Sequence, residues 1–172
     1  PIIQELEVPE IKVPSYEKYS EIYDGVSAIE PHELSDVAAK KIILSIVSTE
    51  GPIHTKEVAR RYAELFGKTR VGQRILAKVK TCLKQLRKNT KLSKSENFWG
   101  KEEHFSNPPI RERSQLIGDL TKADYISREE IIACAALIEK ESGVVSQEDL
   151  IRSMSRVFGF MRAGPEFKSR IE

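Results

Sequence analysis

The sequence repeats itself. Phe66-Gly67-x-x-Arg70-x-Gly72 recurs as Phe158-Gly159-x-x-Arg162-x-Gly164, at an offset of 92 residues. The same offset carries Gly51 onto Gly143 and Arg60 onto Arg152. It also carries the apolar Val58, Leu65, Ile75 and Val79 onto Leu150, Val157, Phe167 and Ile171. Any two three-helix bundles share apolar spacing, but identities at one constant offset point to a duplication. The 172 residues are thereby held to two small units, each with a modest core of its own.

Periodicity says what the repeated unit is. From Ser35, apolar residues at Val37, Ala38, Ile42, Leu44 and Ile46 keep helical spacing up to Thr49-Glu50-Gly51-Pro52. A second helix is expected after His54 or Thr55 as N-cap, with Val58, Ala59, Tyr62, Ala63, Leu65 and Phe66 inward and Gly67 as its stop. A third is expected from about Val71 to Arg87, on a stripe of Val71, Ile75, Val79, Cys82, Leu83 and Leu86. Two short strands around a polar turn fit Lys91–Lys94 and Phe98-Trp99-Gly100. Three helices followed by a hairpin is the order of a winged helix, a helix-turn-helix variant.

After a Pro108-Pro109 stretch the pattern restarts. Ser127 and Glu130 read as a capping box, and the helix they open stops near Gly143. A further helix runs from Ser146 through Leu150, Ile151, Met154, Val157 and Phe158 to Gly159. The expected organisation is a linker or arm over 1–30, a first winged-helix unit over 31–100, a connector over 101–125 and a second unit over 126–172. The fold class is mainly α: tandem winged-helix units, the first with a small β-hairpin wing, the second truncated. The chain opens on Pro1 without a Met and stops at Ile171-Glu172 inside an apolar-periodic segment, so it reads as a fragment of a larger polypeptide.

Charge is where function shows. The formal net charge is only +2. Yet Lys68, Arg70, Arg74, Lys78, Lys80, Lys84, Arg87, Lys88, Lys91 and Lys94 fall in one interval without a single acid, leaving the rest of the chain at −8. Arg74, Lys78, Thr81, Gln85 and Lys88 take one face of the third helix, opposite Val71, Ile75, Val79 and Leu86, with Lys80, Lys84 and Arg87 flanking it. The third helix of a winged helix normally enters the major groove. Cations there would neutralise phosphates, while Arg, Gln or Thr can reach base edges. Ordinary solvated faces alternate Lys with Glu at i, i+4, and this one does not. The expected nucleic-acid-binding residues are Lys68, Arg70, Arg74, Lys78, Thr81, Lys84, Gln85, Lys88, Lys91 and Lys94. The pattern does not separate DNA from RNA. Ser127–Glu172 lacks the bias, with seven basic and eight acidic residues.

Other chemistries find no support. No Gly-rich phosphate loop, G-x-S-x-G or H-E-x-x-H is present, and no carboxylate pair suggests acid–base work. His32 and His104 have no partners at metal-ligand spacing. His54 reads as a cap, with catalysis the rarer use. Trp99 beside Phe98 is a base-stacking platform or, more commonly, the anchor of a wing. Gly72 and Gly164 contact phosphate or simply give the chain room to enter a helix. Cys82 and Cys134 lie inside apolar patterns, which fits a reduced, cytoplasmic setting. No apolar run is long enough to span a membrane, and no cofactor is expected.

Glu50-Gly51-Pro52-Ile53-His54, Ala59-Arg60-Arg61, Phe66-Gly67-x-x-Arg70-x-Gly72-x-Arg74-Ile75 and Asn97-Phe98-Trp99 together resemble a bacterial domain of unknown function numbered 3320. Ile126-Ser127-Arg128-Glu129-Glu130-Ile131 through Phe158-Gly159-Phe160-x-Arg162-x-Gly164 resembles that domain's later half. The resemblance implies a place near the C-terminus of large proteins similar to superfamily 1 helicases, often with a Vsr-like endonuclease domain just before it. ATP-binding and nuclease residues would lie in those other domains, and none is placed on this chain. The expected function is a non-catalytic module that binds nucleic acid, duplex or forked DNA above all, for a helicase- and nuclease-like parent. The alternative is a protein-binding module that docks on the helicase or nuclease domains of that parent.

Overall fold

The computed structural model describes residues 10–21, 28–160 and 165–171. It is mainly helical, with one small three-stranded antiparallel sheet. The described residues form two compact units. The larger takes its residues from Glu17–Pro108 and Tyr125–Ser127; the smaller takes those up to Tyr16 and those in Pro109–Asp124 and Arg128–Glu172.

In the larger unit, helix α1 spans Asp36–Glu50. The Ser35 hydroxyl caps it by accepting from the Ala38 N–H at 3.3 Å. Strand β1, Ile53–His54, leads directly into α2, Thr55–Leu65. His54 caps α2, its Nδ1 accepting from the Lys56 N–H at 3.1 Å, so that nitrogen carries no proton. Helix α3 covers Gln73–Lys88, then β2 (Ser93–Ser95), β3 (Phe98–Gly100) and the short α4 (Glu102–Ser106). The sheet order is β1-β3-β2, with Ile53 opposite Trp99 and Lys94 opposite the same Trp99.

One core joins these elements. Ile42, Ile43, Ile46 and Val47 of α1 pack with Val58, Ala59 and Tyr62 of α2, Val79, Cys82 and Leu83 of α3, and Trp99. Each fully buried Ile or Leu contributes about 1.5–3 kcal/mol by leaving water. Trp99 is buried, and its Nε1 donates to the Thr55 hydroxyl at 2.8 Å. The hydroxyl in turn donates to the Asn97 carbonyl at 3.1 Å, which clips the hairpin tip to the start of α2. Trp99 is therefore the anchor of the hairpin. Beneath α2, the buried Arg61 guanidinium makes a two-pronged contact with Glu50, at 2.7 and 2.8 Å, and reaches Glu64 at 3.0 Å.

The smaller unit is built from α5 (Arg128–Ser142), α6 (Gln147–Phe158) and α7 (Pro165–Ile171). Residues before the larger unit belong here. The Tyr16 N–H donates to the Glu112 carbonyl at 2.8 Å, and the Glu112 N–H donates to the Pro14 carbonyl at 2.9 Å. Glu130 is wholly buried. One of its oxygens accepts from Arg113 Nη1 at 2.9 Å and the other from Arg113 Nη2 at 2.7 Å and Arg111 Nη2 at 3.0 Å. The Tyr16 ring lies against both guanidiniums, 4.5 Å from Arg111 and 5.3 Å from Arg113. Attraction to the ring quadrupole adds to what holds the two cations there.

Several sequence expectations change. The third helix starts at Gln73, not Val71, because Gly72 is extended and stands at the N-cap. Strand β1 is an addition, since two residues are too few to show alternation. Residues 101–125, read as a connector, contain α4 and the 3-10 turns Gly118–Thr121 and Ala123–Tyr125. Glu130, expected as the N3 residue of a capping box, has a further role that the pattern did not disclose: both of its carboxylate oxygens accept from Arg111 and Arg113. The residues Arg162 and Gly164 of the repeated motif, and residues 1–9 of the arm, lie outside the described residues.

The helices of the two units start at a constant offset: α1, α2 and α3 at 36, 55 and 73, and α5, α6 and α7 at 128, 147 and 165. Gly67 and Gly159, also 92 apart, both turn left-handed, with φ of +73° and +81°. Their surroundings differ. A Cβ on Gly67 would meet open space, whereas one on Gly159 would collide with the Glu112 carboxylate and come within 2.8 Å of the Ser114 backbone nitrogen. Gly67→Ala is expected to cost about 1–2 kcal/mol of backbone strain. Gly159→Ala adds overpacking and is expected to cost roughly 2–4 kcal/mol. Urea denaturation of the two variants, followed by circular dichroism, measures the difference.

Candidate nucleic-acid interface

Helix α3 breaks the local rules that usually stabilise a helix. Its N-cap is Gly72, with no side chain to hold the first amides, and its first turn contains Arg74 and no acid. A cation there opposes the helix dipole, whereas Arg87 and Lys88 in the last turn suit it. Lys80, Lys84 and Lys88 follow at i, i+4 and i+8, so like charges face each other along the helix. Each such pair costs about 0.2–0.5 kcal/mol in isolated helices. Departures of this kind, with no gain inside the fold, concentrate where a surface serves something outside it.

The inward side of α3 is Ile75, Val79, Cys82, Leu83 and Leu86. Leu83 pulls the buried stripe away from the line through Val71, Ile75, Val79 and Leu86. The outward face moves with it, and is made of Arg74, Lys80, Thr81, Lys84, Arg87 and Lys88, all exposed. Lys78 and Gln85, expected at the centre of the basic face, are half-buried at its edge. Lys80 and Arg87, expected only as flanks, belong to it. Weighting all five buried positions equally on the helical wheel would have found this rotation.

Three of the ten cations are already engaged. Lys78, with its side chain 15% exposed, forms an ion pair with Asp36 at the start of α1. Lys68 pairs with Glu30 at 3.3 Å. Lys94 on β2 lies 5.2 Å from the centre of the Trp99 ring opposite it. Arg70, Arg74, Lys80, Lys84, Arg87, Lys88 and Lys91 are all exposed, and among the described residues no acid pairs with any of them. The Lys78 contact holds the Asp36 carboxyl below its ordinary pKa, through the hydrogen bond first and the charge second.

The remaining polar residues singled out in the sequence are structural. His54 caps α2 and stacks edge-on against Phe98. His104 Nδ1 accepts from the Lys101 N–H at 2.9 Å at the start of α4. Cys82 and Cys134 are buried free thiols, and burial pushes the Cys134 thiol up to about 12. Among the described residues no group of three or more His, Cys, Asp or Glu is arranged to hold a metal, and no helix is long and apolar enough to cross a membrane.

Residues 30–77 match a family model described as a protein of unknown function, DUF3320. The match covers α1, β1, α2 and the first turn of α3, which supports the resemblance to domain 3320 for that stretch. No curated protein and no solved structure matches the chain.

Proposed function

We propose that the chain is a non-catalytic nucleic-acid-binding module of winged-helix type, which holds duplex or forked DNA for a larger helicase- and nuclease-like protein. The observation that carries this is the row of exposed cations on α3 and its neighbours, unpaired with any acid among the described residues and unhelpful to the helix that bears them. The order α1-β1-α2-α3-β2-β3, with the sheet arranged β1-β3-β2, supports the winged-helix reading of the larger unit. In that reading α3 lies in the major groove, with Lys84 and Lys88 on phosphates and Arg74 and Thr81 toward base edges. The matching helix offsets and the paired left-handed glycines support a duplicated second unit.

Binding by such a surface is driven by release of counterions from the nucleic acid. Fluorescence anisotropy with labelled duplex, single-stranded and forked DNA at two salt concentrations tests it. Affinity in the range of roughly 10⁻⁴–10⁻⁶ M is expected, falling steeply as salt rises. Absence of binding at low salt would remove the reading and leave the alternative, in which the same cations dock on an acidic surface of the parent protein.

A further inference from the structure

The segment before α1 runs along the N-terminal side of the basic surface. Its 3-10 turn, Pro31–Glu33, packs on α3. It is fixed from beneath: Pro31 is buried, and the Tyr62 hydroxyl donates to the Pro31 carbonyl at 2.7 Å. Burial raises the pKa of that hydroxyl far above the ordinary tyrosine range, so the bond persists at any working pH. The anchored stretch carries Glu30, Glu33 and Asp36. Its first and last acids hold Lys68 and Lys78, two of the ten cations in the basic interval.

We propose that residues 30–36 form an acidic strap that occupies Lys68 and Lys78 with carboxylates in place of phosphates, so that the free protein presents nucleic acid only with the remaining cations. This rests on the nucleic-acid reading above and adds its regulation. The strap's position comes from Pro31 and Tyr62, not from the ion pairs, so removing the charges leaves the backbone where it is. A carboxylate and a phosphate oxygen compete for the same ammonium donors, and a cation already paired releases no counterion to its credit when DNA arrives. The strap thus weakens binding and confines the footprint to Arg70, Arg74, the part of α3 from Lys80 to Lys88, and Lys91 beyond it.

The test is a gain of binding. Glu30→Gln/Asp36→Asn in the full chain is titrated with a labelled DNA duplex, beside the wild type and the control Glu102→Gln/Glu103→Gln. That control removes two exposed carboxylates from α4, where no α3 cation is paired. Freed from their carboxylates, the two lysines are expected to tighten binding roughly threefold to tenfold. They should also steepen the dependence of log affinity on log salt by up to about two ions. The control should stay within about twofold of wild type. A double-mutant cycle adds a second readout. Lys78→Gln should change binding little in the wild type, and weaken it severalfold in the Asp36→Asn background. If the wild type binds DNA and the strap variant shows the same affinity and salt slope, or the control gains as much, the strap proposal is overturned. If neither wild type nor strap variant binds at low salt, the nucleic-acid reading itself has failed, and the strap with it.

Discussion

Replacing Arg74, Lys84 and Lys88 with glutamate is expected to weaken DNA binding at low salt by at least a hundredfold, to below detection in an anisotropy titration. Each change removes one cation from the exposed face of α3 and adds an anion facing the phosphates. Loss of the two phosphate contacts of Lys84 and Lys88 lowers the salt slope by about 1.8, and loss of the Arg74 contact and repulsion from three carboxylates add to the loss. The fold should survive. The acid that replaces Lys84 stands four residues from Lys80, turning a like-charge pair into an attractive one worth about 0.2–0.5 kcal/mol. The acid that replaces Arg74 sits in the first turn of α3, where a negative charge suits the dipole by about 0.3–1 kcal/mol. The acid that replaces Lys88, in the last turn, costs a similar amount in return. A variant that melts within a few degrees of wild type and no longer binds ties the loss to the surface. Binding within threefold of wild type would exclude this face.

Glu130→Ala is expected to cost the smaller unit about 3–5 kcal/mol, because it takes from two buried guanidiniums the carboxylate that both of them bind. For a unit of this size that is a fall in melting temperature of roughly 15 °C or more. Circular dichroism during heating measures it. The same site sets a pH dependence. Burial alone would raise the Glu130 carboxyl, but the charges and hydrogen bonds of Arg111 and Arg113 outweigh it and hold it at about 2, against an ordinary 4.5. The folded value lies below the unfolded one. The stabilisation is therefore fully present above about pH 4.5 and drains away as pH falls toward 2. A shift of this size corresponds to about 3 kcal/mol. Glu130→Gln should lack that part of the acid transition, which stability measurements from pH 6 to 2 would reveal.

These two sites differ in how far the sequence discloses them. The α3 surface is legible because an acid-free run is a local property, and because Ile75, Val79 and Leu86 give the helix away by spacing. The turn of the helix about its axis follows once Leu83 is weighted with the rest of the stripe; what spacing could not give is the Asp36 and Glu30 that reach across to Lys78 and Lys68. Arg111, Arg113 and Glu130 look in sequence like the mixed charges of a connector and the acid of a capping box. Only the fold makes them a cluster, with the ring of Tyr16, nearly a hundred residues away, laid against both guanidiniums. The short β1 and α4 escape a sequence reading for a related reason. Ile53-His54 is a strand only because Trp99 and Phe98 lie alongside, and five residues of helix at Glu102–Ser106 leave no periodic trace.

The pairing of Pro14 and Tyr16 with Glu112 has a kinetic side. Residues 17–108 leave from one end of this contact and return near the other. Closing that loop through an unfolded chain would cost roughly 4 kcal/mol in entropy. The two hydrogen bonds of the arm to Glu112 are therefore bonds of high sequence separation, and the entropy of closing residues 17–108 weighs against them when the chain folds.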